Sequence, residues 1–127
     1  MKFDVLLESL SRVDLKTVED FADDIFAQLG IDVEFTKHFI DRVNDPRNGK
    51  DITVYELIQL FKKTKEKYGK KIASMSSGKE AVLNDLNTQI NLPFVIQYDK
   101  KSDDFELIAK TVMRKKDFKT RTAKLHV

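Results

Sequence analysis

The sequence contains no cysteine and no tryptophan, and it has only two histidines, four glycines and two prolines. Without thiols the chain cannot form disulfides, thiolate zinc sites, iron–sulfur clusters or a cysteine nucleophile. The two histidines, His38 and His126, lie far apart in the sequence, which argues against a zinc site. We therefore predict a protein that uses no metal and no cofactor.

Several patterns that mark common functions are also missing. No run approaches 18 consecutive apolar residues, so we expect no membrane-spanning helix and no membrane partner. The phosphate-binding glycine loops and the GxSxG nucleophile turn are absent from the sequence. Asp4 and Glu8 lie where a signal peptide has its apolar region, so we expect a cytoplasmic protein.

The length of 127 residues fits one domain, which we predict to span residues 1–127. Its helical half would cover about 1–70, and its sheet half about 71–127. The net charge of +2 is unevenly distributed, because residues 1–60 carry 7 basic and 13 acidic side chains, whereas residues 61–127 carry 16 and 8. A basic half is typical of a nucleic-acid-binding surface, but solvated helix faces produce the same distribution.

Apolar residues at helical spacing predict several helices in the first half of the chain. One helix follows a predicted N-cap at Asp14 and ends before Gly30, which can adopt the positive φ of a helix C-terminus. A second begins after the N-cap Thr36, and a third begins at the capping-box sequence Thr53–Glu56. A short helix before these is predicted from Phe3, Leu6, Leu7 and Leu10.

The second half changes to the two-residue period of β-strands. Apolar side chains alternate along residues 92–98 and 105–113, and the polar segment DKKSDD between them predicts an antiparallel hairpin. Residues 118–127 suit a further strand, and residues 76–86 fit either a helix turn or an edge strand. Helices followed by strands predict an α+β fold, with N-terminal helices packed on one face of a C-terminal antiparallel β-sheet.

His38 is the first candidate for catalytic chemistry. It follows the predicted N-cap Thr36 by two residues, and a helix N-terminus favours the neutral imidazole, which can accept a proton. The i, i+4 spacing places Arg42 on the same side of the helix as His38. The alternative is a structural histidine that hydrogen-bonds Asp41 or a backbone carbonyl.

A second group of candidates lies in the basic segment near the C-terminus. Lys110 falls between Ile108 and Val112 in a predicted strand, where a long cation must reach solvent or meet an anion. Basic residues on a sheet, with hydroxyls and an aromatic ring nearby, suit a phosphate backbone. The basic residues are Lys110, Arg114, Lys115, Lys116, Lys119, Arg121 and Lys124. The alternative is a basic sheet edge that blocks strand pairing.

The two groups together suggest metal-independent cleavage of RNA. In this reaction the 2′-hydroxyl attacks the adjacent phosphodiester, which requires a base, an acid for the leaving 5′-oxygen, and cations on the phosphorane. Histidine, arginine, lysine and threonine side chains can supply these functions, so the lack of metal ligands is compatible with a nuclease.

Three segments carry a resemblance to a known group of proteins. FTKHFIDRVNDPRNGKDITVYEL, followed by LPFVIQYD and FELIAKTVMRKKDF, resembles uncharacterised small proteins of tailed phages, especially marine ones. Those proteins are distantly similar to the barnase–EndoU–colicin–RelE-like nuclease group, which has H-x-x-x-R on a helix, then a helix and an antiparallel sheet. The resemblance spans about residues 33–120 and places this pattern at His38 and Arg42.

The resemblance implies roles for individual residues. His38 would act as acid or base, Arg42 would clamp a phosphate, and Lys110 and Arg114 would be cations that stabilise the transition state. Arg47 would face the same site. The other predicted nucleic-acid contacts are Thr111, Lys115, Lys116, Lys119 and Arg121.

The expected partner is therefore RNA or another anionic molecule, and a homo-oligomer is compatible with the sequence. If a phage encodes the protein, we expect it in the host cytoplasm. The alternative function is a non-enzymatic phage structural or host-interaction module, which the opposite charges of the two halves would also suit.

Overall fold

The computed structural model describes residues 10–127, so the helix predicted from Phe3 to Leu10 lies outside the described residues except for its last position. The described helices are α1 (Arg12–Ala27), α2 (Lys37–Val43) and α3 (Val54–Ala73), with a 3₁₀ turn at Pro46–Asn48. The described strands are β1 (Ile31–Phe35), β2 (Glu80–Asn84), β3 (Ile90–Asp99), β4 (Asp104–Ala109), β5 (Met113–Arg114) and β6 (Ala123–His126). Within this part of the chain, none of the helices has the length and apolar character needed to cross a membrane.

The six strands form one sheet in the order β1-β4-β3-β2-β6, with β5 also paired to β3. The predicted hairpin is confirmed, because β3 runs antiparallel to β4, but its second strand ends at Ala109 and not at residue 113. Strand β3 is also antiparallel to β2. The predicted α+β fold is confirmed, but the prediction of an antiparallel sheet is wrong at both edges, since β1 is parallel to β4 and β6 to β2. Parallel neighbours need a long crossover, and the chain between β1 and β4 supplies one.

Local capping sets the starts of the three helices. The N-cap of α1 is Ser11 and not Asp14, whose carboxylate instead accepts from the Ser11 backbone N–H in a capping box. Thr36 caps α2 as predicted, and Thr53 forms the predicted capping box with Glu56 at the start of α3. Serine and aspartate are both good N-cap residues, and Ser11 precedes Asp14 by three residues, which is the spacing of a capping box.

The core lies between the helices and one face of the sheet. Phe94 of β3 is fully buried between the small residues Ala81 and Ala109 on the neighbouring strands. This arrangement leaves room for the helices to pack closely on the sheet. The helices contribute Leu15, Val18, Ala22 and Phe26 from α1, and Leu57, Leu60, Phe61 and Ile72 from α3, all at most 3% exposed.

Two carboxylates of α1 cover the free edge of β1. Asp23 Oδ1 accepts from the backbone N–H of Val33 at 2.5 Å, and Glu19 Oε2 accepts from that of Phe35 at 2.8 Å. Unpaired backbone groups on an edge strand are prone to pairing with another chain. The acidic side chains of α1 therefore protect this edge and fix the helix against β1.

We predict that replacing either carboxylate weakens the fold. Glu19→Ala or Asp23→Ala should lower the free energy of unfolding by about 1 kcal/mol, because a partly buried N–H loses its acceptor. Chemical denaturation measures this change. Asp24→Ala is the control, since Asp24 is exposed on the same helix, and it should stay within about 0.5 kcal/mol of wild type. Equal losses at positions 19, 23 and 24 would contradict the assignment.

Candidate functional site

The candidate site begins with a break between β4 and β5 opposite Pro93 of β3. The N–H of Lys110 donates to the Pro93 carbonyl at 2.9 Å, but proline has no N–H with which to return a hydrogen bond. The Lys110 carbonyl instead accepts from the hydroxyl of Thr36 at 2.8 Å. The chain leaves the sheet after Ala109 and rejoins it at Met113.

Thr36 connects this break to α2. Its hydroxyl donates to Lys110 and also accepts from the backbone N–H of Phe39 at 3.0 Å, which caps the helix. Its own N–H donates to the carbonyl of Ala109 at 3.2 Å. These bonds hold α2, which carries His38 and Arg42, against the segment where the sheet is interrupted.

A cavity of about 540 Å³ lies between α2, the 3₁₀ turn and the interrupted strand. Its lining includes six of the ten predicted site residues, namely His38, Arg42, Arg47, Thr111, Arg114 and Lys115. Asp45, Asn48, Val112 and Met113 complete the lining. Residues that are far apart in the sequence therefore share one cleft.

The other four predicted residues do not line this cleft. Lys110 forms an ion pair with Glu80, at 2.5 Å between Nζ and Oε1, so it meets an anion of the protein itself. Lys116, Lys119 and Arg121 are exposed beyond the cleft. They can extend a basic surface but do not contribute to the cavity wall.

Arg114 lines the cleft, but its guanidinium group is occupied. Both oxygens of Glu56 accept from it, at 2.8 and 3.0 Å, and the carbonyls of Lys50, Asp51 and Thr88 accept its remaining N–H groups at 2.7–3.1 Å. A guanidinium has five N–H donors, so none remains for a ligand. Only 10% of the side chain is exposed. Arg114 thus joins β5 to the start of α3 and does not act as a free cation.

The same contacts change the ionisation of Glu56. Burial alone would raise the pKa of its carboxyl group, but the hydrogen bonds from Arg114 and Thr53 outweigh burial and lower that pKa below its ordinary value. The carboxylate is therefore charged in the folded protein and compensates the charge of Arg114.

Arg42 and Arg47 are the accessible guanidinium groups of the cleft, with side chains that are 37% and 73% exposed. Both bind Asp45. Its Oδ2 accepts from Arg42 Nη1 at 3.0 Å and from Arg47 Nη2 at 2.9 Å, and its Oδ1 accepts from Arg47 Nε at 3.1 Å. Two cations thus flank one anion, and several of their N–H donors are not used by described residues.

His38 is exposed at the same cleft. Its imidazole has no hydrogen-bond partner among residues 10–127, and the alternative contact with Asp41 is not seen there. The half-buried hydroxyl of Thr111 lies in the same lining, which makes both groups candidates for direct contact with a ligand.

Asn48 is a structural residue of the cleft that sequence reasoning missed. Its buried amide donates to the carbonyls of Arg42 and Val43 at 3.2 Å, and its oxygen accepts from the backbone N–H of Arg114 at 3.1 Å. It joins the end of α2 to β5 and so fixes two walls of the cavity. In the sequence Asn48 precedes Gly49 and has the appearance of an ordinary turn residue.

The lining of the cleft is rich in groups that can interact with an anion. It offers two accessible guanidinium groups, a lysine, an imidazole and a hydroxyl beside the apolar residues Val112 and Met113. In residues 10–127, no group of three histidine or acidic side chains is arranged to hold a metal ion.

We predict that separating Arg114 from Glu56 is costly. Arg114→Met or Glu56→Gln should lower the free energy of unfolding by about 3 kcal/mol, because each leaves a largely buried charge without its partner. Chemical denaturation measures the loss. The double variant should lose less than the sum of the two single variants, and additive losses would show that the pair is not coupled.

The lowered pKa of Glu56 also predicts a pH dependence. The contribution of this carboxylate to stability is complete above the unfolded value, about 4.3 for glutamate. It is lost as the pH falls through the lower folded value. Unfolding measured from pH 7 to pH 3 should therefore show a shallower loss of stability for Glu56→Gln than for wild type. Parallel curves would contradict the lowered pKa.

Comparisons of the chain with protein-family models, with curated protein sequences and with solved structures found no match. We therefore infer the function from the geometry of the cleft.

Proposed function

We propose that the protein binds RNA in the cleft between α2 and β5. The observation that carries the proposal is the convergence of His38, Arg42, Arg47, Thr111 and Lys115 around one cavity. These residues come from α2, the 3₁₀ turn and the interrupted strand. Cationic and hydroxyl groups with an apolar surface between them suit the phosphate and the base or ribose of one nucleotide.

Arg42 and Arg47 are the proposed phosphate contacts. A guanidinium presents parallel N–H donors that match two oxygens of a phosphate, and charge-assisted bonds of this kind are strong. Both side chains are accessible, in contrast to that of Arg114. Thr111 and Lys115 would contact the neighbouring part of the strand.

The enzymatic form of the proposal assigns His38 as the base that removes the proton of the 2′-hydroxyl. The 2′-oxygen then attacks phosphorus, the bond to the 5′-oxygen breaks, and that oxygen needs a proton. The lining holds a single imidazole, so His38 has no second histidine beside it to serve as the acid. We therefore favour binding as the main function over rapid cleavage.

A protein-interaction module is the second candidate, and one observation favours it. The outer face of β1, β4 and β3 carries the acidic residues Asp32, Glu34, Asp99, Asp104 and Glu106. The pKa of Glu106 is raised mainly by burial and further by the nearby carboxylates Glu34 and Asp99. The pKa of Asp32 is likewise raised mainly by burial and further by Asp23, Asp104 and Asp99. Such a face suits a basic partner.

The resemblance to phage proteins stays a prediction.

We predict that RNA affinity depends on the accessible arginines. In fluorescence anisotropy with a labelled single-stranded RNA, Arg42→Gln and Arg47→Gln should each weaken binding about tenfold. Each should also make the affinity less sensitive to salt. Lys70→Gln and Lys71→Gln, at the exposed end of α3, are controls of the same charge change. Equal losses in the cleft and control variants would indicate nonspecific attraction only.

A cleavage assay tests the role of His38. Wild-type protein incubated with RNA in EDTA should form fragments with 2′,3′-cyclic phosphate ends at a low rate, and His38→Ala should form none, while both bind RNA. Cleavage that is absent from wild type, or unchanged in His38→Ala, would reject the enzymatic form and leave RNA binding as the function.

A further inference from the structure

We propose that Asp45 occupies the anion site of the cleft in the free protein and competes with a phosphate for Arg42 and Arg47. This inference rests on the proposed RNA-binding function and adds a regulatory contact to it. Asp45 would act as an intramolecular competitor that sets the affinity and selects the ligand.

The first argument is the geometry of the contact. Asp45 presents two oxygens to the Nε and Nη2 of Arg47, at 3.1 and 2.9 Å, and one of them also accepts from Arg42 Nη1 at 3.0 Å. A phosphate also presents two free oxygens to a guanidinium in this manner. The carboxylate therefore makes the contacts that a bound phosphate would make.

The second argument is the position of the group. Asp45 lines the same cavity as both arginines, and its side chain is 20% exposed. A phosphate held by the same N–H groups would lie next to a carboxylate of like charge, which is unfavourable at short distance. Binding therefore requires the arginines to turn away from Asp45 or requires the phosphate to approach it against repulsion.

This arrangement predicts selectivity for the ligand. A small carboxylate ligand would gain little binding free energy by replacing Asp45, because it makes the same kind of contact with the two arginines. A nucleic-acid strand with several phosphates gains additional contacts at Lys115 and at the exposed lysines that follow it. Asp45 thus favours a polyanionic strand over single small anions.

Asp45 has a structural role that the test must preserve. Its Oδ1 accepts from the backbone N–H of Arg47 at 2.8 Å and caps the 3₁₀ turn. Asparagine and serine are good capping residues and carry no charge. Asp45→Asn and Asp45→Ser therefore remove the competitor and retain the cap. Thermal unfolding of both variants should match that of wild type if the turn is intact.

The experiment measures the affinity of a 5′-labelled ten-nucleotide oligouridine by fluorescence anisotropy at constant ionic strength. Asp45→Asn and Asp45→Ser should bind about tenfold more tightly than wild type, since removal of one close repulsion is worth roughly this factor. Asp41→Asn is the matched control. It makes the same charge change in α2 but lines a different cavity, and it should change affinity less than about twofold.

The outcomes separate this inference from the proposed function. If wild type binds the RNA and the two Asp45 variants bind no more tightly, the competitor role is wrong and RNA binding stands. If Asp41→Asn gains as much as Asp45→Asn, net charge explains the gain and the competitor role is again wrong. If neither wild type nor any variant binds, both proposals fail.

Discussion

The missing N–H of Pro93 is the constraint on which the candidate site depends. A proline in a central strand removes one hydrogen bond from the ladder, and here it frees the carbonyl of Lys110. The hydroxyl of Thr36 donates a hydrogen bond to that carbonyl and also caps α2. The absent donor thus lies where the β4–β5 line is interrupted, and the short helix α2 is anchored across this interruption, beside the cleft.

The cleft then divides its cations into two classes. Arg114 is buried and fully hydrogen-bonded, with Glu56 as its counter-ion, so its charge stabilises the fold. Arg42 and Arg47 are accessible and share the single carboxylate of Asp45. The difference matters because a cation can serve a ligand only if its donors can be released at small cost. Counting basic residues without their partners would assign the same role to all three.

Local features of the sequence predicted much of the fold. Thr36 and the capping box at Thr53 depend on residues within one helical turn, and both were predicted correctly. The parallel pairing of β1 with β4 was not predicted, because it joins segments more than 70 residues apart. The ion pair between Arg114 and Glu56 was not predicted for the same reason, since 58 residues separate them. The contact of Asp45 with both arginines was not predicted, because it depends on how the two side chains are oriented.

Two-dimensional ¹H–¹⁵N NMR of the full chain, titrated with an unlabelled oligouridine, tests residue by residue whether ligand binding takes place at the interrupted strand. We predict concerted shifts for the amides of Arg42, Thr111 and Met113, with those of Asp32 and Glu106 on the acidic face unchanged. Shifts confined to the acidic face, or no shifts in residues 111–115 at saturating RNA, would contradict it.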